Sequence, residues 1–151
     1  MFSLNDCKED LGLIAEAGLM SIKQGDEESA KKLFNAVGFL ESEKGVTKKM
    51  GYGLIALHKL DIPEAQKHFS EVLKVDAKNM RATAFVAFTH MLAVMTSTKV
   101  PLTDEQKIKH LQISADLSKQ VLEQATEPST KQLAQSILDW QHELLNLEAQ
   151  A

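Results

Sequence analysis

An acidic turn followed by Ala, three residues and Phe occurs twice in this chain, in GDEESAKKLF at 25–34 and in LDIPEAQKHF at 60–69. The spacing of the copies constrains the fold more than any other feature. Asp26, Ala30, Phe34 and Val37 return as Asp61, Ala65, Phe69 and Val72, and upstream Gly18, Leu19 and Ile22 return as Gly53, Leu54 and Leu57, each 35 residues on. A fixed period in this range marks repeat units that cannot bury their apolar faces alone and must stack.

Helical spacing fills the units. Leu11, Ile14, Ala15, Gly18, Leu19 and Ile22 predict a helix from Asn5 to about Gln24, stopped by Gly25. Asp26 is placed to cap the next helix, Glu27 and Glu28 suit its N-terminal dipole, and Ala30, Leu33, Phe34 and Val37 form one face before Gly45 closes it. The same plan follows with a helix from about Thr47 to Leu60, a turn at Asp61, and a helix to about Val75 with Pro63 in its first turn. A helix from about Lys78 to Thr96 is apolar on nearly every side and must be covered on more than one face. STKVPL at 97–102 then interrupts the period as an inserted loop. Thr103 and Gln106 make a capping box for a long helix to about Ala125. Ser129 is positioned to cap a last helix with a single stripe of Leu133, Ile137, Trp140, Leu144 and Leu147, as a helix that shields the end of a stack requires. The expectation is an all-α, helical-hairpin solenoid in one domain over 1–151, with repeats at about 11–44, 46–79 and 80–127 and a C-terminal capping helix at about 129–149.

The chain of 151 residues, 44% apolar and 25% charged, is long enough to bury a core, and its low aromatic content of 5% with abundant Ala, Leu and Lys favours helix. A net charge of −4 argues against general nucleic-acid binding, and Lys44, Lys48 and Lys49 are the one modest basic cluster, read as a solvated helix start rather than a phosphate site. Cys7 is the single cysteine, so no intrachain disulfide is expected. MFSLNDCKED lacks the apolar core of a signal peptide, and the most apolar stretch, ATAFVAFTHMLAVM at 82–95, is too short for a bilayer span. A cytoplasmic protein is expected.

Residues that carry chemistry are scattered. His58, His68, His90, His110 and His142 contain no i,i+4 pair with a third ligand, and HEL at 142–144 lacks the second His of a zinc-protease helix. His90, inside the apolar helix, reads as a hydrogen-bonded core histidine rather than a catalytic base. Cys7 has Lys8 beside it but also Asp6 and Glu9, so no activated thiolate is indicated. GYG at 51–53 lacks the strand and further glycines of a nucleotide loop. No enzyme, metal or cofactor is expected.

The two regular hairpins resemble tetratricopeptide repeats, with Gly18, Ala30, Phe34 and Val37, then Gly53, Ala65, Phe69 and Val72, in the signature positions; Ala82 and Ala87 continue the pattern weakly into a third unit. The resemblance covers about half of the chain. It implies a concave, partner-binding surface built from the first helix of each pair: Ala15, Leu19 and Ile22, then Met50, Leu54 and Leu57, then Ala84, Phe88 and Met91. All nine are apolar. The family's carboxylate clamp needs Lys and Asn where this chain has Ala15 and Leu19, so an amphipathic helix is the occupant that such a groove suits. The nine positions also fit plain core, with the capping helix folded over them.

In overall character the chain resembles the needle-subunit chaperones of type III secretion, most of all the larger chlamydial version with its inserted loop and long C-terminal helices. That resemblance implies a virulence-related cytoplasmic chaperone that keeps a polymerising needle subunit monomeric by sheltering its C-terminal helix, with a small helical co-chaperone on the outside. The other reading is a scaffold, adaptor or translocator chaperone.

Overall fold

The 35-residue period is visible in the backbone hydrogen bonds. In the first hairpin the Gly25 N–H donates to the Ile22 carbonyl and the Asp26 N–H to that of Ser21; in the second the Leu60 N–H donates to Leu57 and the Asp61 N–H to Ala56. Gly25 and Leu60 are the two positive-φ residues among those described, at 78° and 58°. Asp26 and Asp61 then cap the helices that follow, accepting from the Ser29 and Glu64 N–H groups. One turn device, written twice, joins each pair of helices.

The computed structural model describes residues 4–97 and 100–150. Seven α-helices are found among them and no strand: α1 (Leu4–Lys23), α2 (Glu27–Leu40), α3 (Thr47–His58), α4 (Ile62–Val75), α5 (Met80–Met95), α6 (Asp104–Gln124) and α7 (Pro128–Gln150). The all-α helical-hairpin class expected from the sequence is the fold observed. None of these helices is long and apolar enough to cross a membrane. The chain divides into two compact units, one through Ala77 and one from Lys78 on.

The first unit packs α1 on α2, α3 on α4, and the pairs on one another through α2 with α3 and α1 with α3. Glycine sets how close they come. The Phe34 ring lies against Gly18 of its own hairpin and against Gly51 of the next, so tightly that a Cβ at either glycine would enter the ring; Phe69 lies against Gly53 in the same way. Phe34, Val37, Phe69 and Val72 are all buried, as are Ala30 and Ala65. The helix starting at Thr47 has no cap of its own, since Val46 offers no side-chain acceptor. Glu41 supplies it from the preceding turn: its carboxylate accepts the backbone N–H groups of Thr47 and Lys48, both at 3.1 Å. This contact explains why α2 stops at Leu40 with Glu41 as C-cap, ahead of Gly45.

The second unit is the hairpin α5–α6 with α7 packed on both. Asn79 caps α5 through the Ala82 N–H, and the Thr103–Gln106 capping box starts α6 as expected. Of the inserted loop at 97–102, residues 98 and 99 lie outside the described residues. The last helix begins at Pro128, not at a Ser129 cap. The Ser129 hydroxyl instead donates to the Glu127 carboxylate, which also receives both short bonds from the guanidinium of Arg81, the chain's one arginine. These bonds hold the Glu127 carboxyl below the usual carboxylate range, the Ser129 hydroxyl first and Arg81 second.

Candidate functional site

The nine apolar positions on α1, α3 and α5 divide by unit. On α1 and α3, Ile22 is buried in a cluster with Ala30, Phe34 and Ile55, and Ala15 and Leu54 pack half-buried against it. Met50 and Leu57 are also half-buried, and Leu19 is 40% exposed. Leu13 and Met20, two turns apart on α1, are more exposed still. Five of the six positions of the first unit therefore keep accessible apolar surface, and Ile22 belongs to the core.

On α5 the expectation of an open face fails. Ala84 and Met91 are both 0% exposed. Ala84 lies in a cluster with Val121 of α6, Ala125 at the C-cap of that helix and Ala134 of α7; Met91 lies with Ala87 and Ile137, and Phe88 packs half-buried against that second cluster. The physical reason is the all-round apolarity of α5, which demands cover on several faces. The α7 stripe provides it through Leu133, Ile137, Trp140 and Leu144, while Leu147 stays exposed.

The exposed apolar surface of the second unit is elsewhere. Val94 and Met95 of α5, Lys107 and Leu111 of α6, and Leu144, Leu145 and Leu147 of α7 line a cleft of about 450 Å³. Sequence reasoning missed it, because its walls come from three helices and the α7 period accounts only for Leu144 and Leu147. The one signal was Leu145, an apolar residue off the α7 stripe.

Polar groups gather in two places. Lys48 and Lys49 of the basic cluster line a cleft of about 340 Å³ with Tyr52, His68 and Glu71. The Lys48 ammonium stands 6.0 Å from the centre of the Tyr52 ring, whose hydroxyl donates to Asn35 Oδ1 at 2.8 Å. Glu71 in the cleft and Glu64, 3.0 Å from His68, offset its positive charge. Lys44 is exposed in the preceding turn and does not line the cleft. In the second unit, His90 of α5 and His110 of α6 meet through their Nδ1 atoms at 2.8 Å, with rings tilted at 40°. Burial first, and the charge of His110 second, push the His90 imidazole down to about 4. Spacing could not show this pair, which joins residues on two helices.

Among the described residues no three His, Cys, Asp or Glu side chains are grouped to hold a metal ion. The Cys7 side chain lies outside those described. Gly51 and Gly53 of the GYG segment are buried packing positions facing Phe34 and Phe69. No protein-family model matches the chain, and comparison with curated proteins and with solved structures finds no match in either.

Proposed function

We propose that the first unit binds a partner's amphipathic helix on the apolar face of α1 and α3. The observation that carries this reading is the accessible apolar surface of Leu19 beside half-buried Ala15, Met50, Leu54 and Leu57, in a unit whose interior is already filled by Phe34 and Phe69. Apolar side chains left in water next to a closed core are stabilised when an apolar helix face covers them. Met50 adds an adaptable contact.

The finer reading is that the chain is a tetratricopeptide-type chaperone of type III secretion, cytoplasmic and not an enzyme. It shelters the C-terminal helix of a needle subunit against premature polymerisation, together with a small helical co-chaperone. The signature residues Gly18, Ala30, Phe34, Val37 and their second copies support it, since they occupy the close-packing roles that the repeat requires. An adaptor or translocator chaperone is the second reading, favoured by the separate apolar cleft of Val94, Leu111 and Leu144.

Co-expression with the neighbouring small open reading frames, followed by size exclusion, tests both. Leu19→Asp and Leu54→Asp each place a charge on the apolar face, and loss of the co-eluting helical partner with helicity unchanged is expected. Retention of the partner by both variants, with loss on Leu145→Asp, overturns the α1–α3 site in favour of the second-unit cleft.

A further inference from the structure

The contact between His90 and His110 restricts which protonation states the α5–α6 hairpin tolerates. A hydrogen bond between two Nδ1 atoms at 2.8 Å needs one N–H and one bare nitrogen. One added proton is accommodated at the Nε2 of the donor ring, which then donates more strongly. A second proton has only the bare Nδ1 left to occupy. It removes the acceptor and sets two imidazolium rings against one another, with centroids 5.1 Å apart.

Among the described residues, no carboxylate acts on His90 to relieve this. On α5 the one charged residue is Arg81, near the far end of the helix and engaged with Glu127. On α6 the neighbours one turn to either side are Lys107, a further cation, and Ser114, whose hydroxyl donates to the Ala87 carbonyl. From α7, Ile137, Trp140, Gln141 and Leu144 pack on this part of α5 and α6, and these are uncharged. Burial and His110 are the two causes that lower His90, and no carboxylate opposes them.

We infer that His90 and His110 form an acid-sensitive latch, closed while at most one proton is added and released by the second, that holds the C-terminal half of α5 against the N-terminal half of α6. Val94, one turn beyond His90, and Leu111, next to His110, line the apolar cleft of this unit, so release of the latch loosens the walls of that cleft. The sign follows from linkage. Released rings titrate near the ordinary 6.5 and the held His90 near 4, so the latch holds above 6.5 and is lost as pH falls toward 4.

Hydrogen exchange of the full chain from pH 7.5 to 4.5, corrected for intrinsic exchange, tests the latch. One proton taken up on opening makes the opening constant of α5 and α6 rise by up to about tenfold per pH unit below the ordinary histidine range. In His110→Gln and in His90→Gln that rise should flatten. An equal rise in either folded variant, or no rise in the wild type, overturns the latch. Should both variants unfold, NMR titration of the wild-type imidazoles decides: a coupled pair whose second step falls well below the first supports the latch, and two rings titrating independently near 6.5 overturn it.

Discussion

Leu60 holds φ at 58°, in the left-handed region that costs an L-residue roughly 1–2 kcal/mol. The position demands it, because the turn reverses the chain between α3 and α4 with the same two hydrogen bonds that Gly25 makes possible between α1 and α2. Leu60 is 48% exposed, so about half of its surface stays in water and its burial offsets only part of the strain. Leu60→Gly should therefore stabilise the protein by about 0.5–1 kcal/mol, the strain relieved less the added chain entropy of glycine. Thermal unfolding checks it: a higher midpoint is expected, and a lower one would mean that the Leu60 side chain outweighs the strain. The turn was legible at Gly25, where the residue announces its conformation. It was not at Leu60, which reads in the sequence as the last residue of a helix, and only the two bonds closing the turn reveal the left-handed residue.

At the scale of the element, α3 depends on a neighbour for its start. With Val46 at the N-cap position, the first N–H groups of α3 are satisfied by Glu41 at the end of α2. Glu41→Ala leaves both without that partner and should cost about 0.5–2 kcal/mol, the range for a lost helix cap. Urea unfolding measures the loss, and Glu41→Gln, which retains an acceptor, should recover part of it. An unchanged urea midpoint in the alanine variant would show that water replaces the carboxylate without penalty. The caps at Asp26, Asp61 and Thr103 were legible because each acceptor lies three residues before the N–H that it binds. Glu41 acts six and seven residues ahead, across a turn, where spacing carries no signal.

For the whole molecule, the two units have separate clusters. Phe34 packs with Ile22, Ala30 and Ile55 in the first, and Ile137 packs with Ala87 and Met91 in the second. Phe34→Ala should cost about 3–5 kcal/mol and Ile137→Ala about 2–5 kcal/mol. Hydrogen exchange should locate each loss: Phe34→Ala accelerates exchange in α1 to α4, and Ile137→Ala in α5 to α7. Acceleration of all seven helices by either substitution would show instead that the chain unfolds as one cooperative body.

The sequence by itself determined the hairpins, the turn chemistry at Asp26 and Asp61, and the residues that let helices approach, because a 35-residue period and a 3.6-residue period are both local properties of the chain. It also showed that α5 needed cover. Only the tertiary structure decided where that cover falls: over Ala84 and Met91, now at 0% exposure, and not over Leu19 at 40%. Helical periodicity states which side chains share a face, whereas exposure depends on which other element arrives at that face. The same reason holds for the His90–His110 contact and for the cleft between the ends of α5, α6 and α7, where residues distant in sequence meet through packing alone.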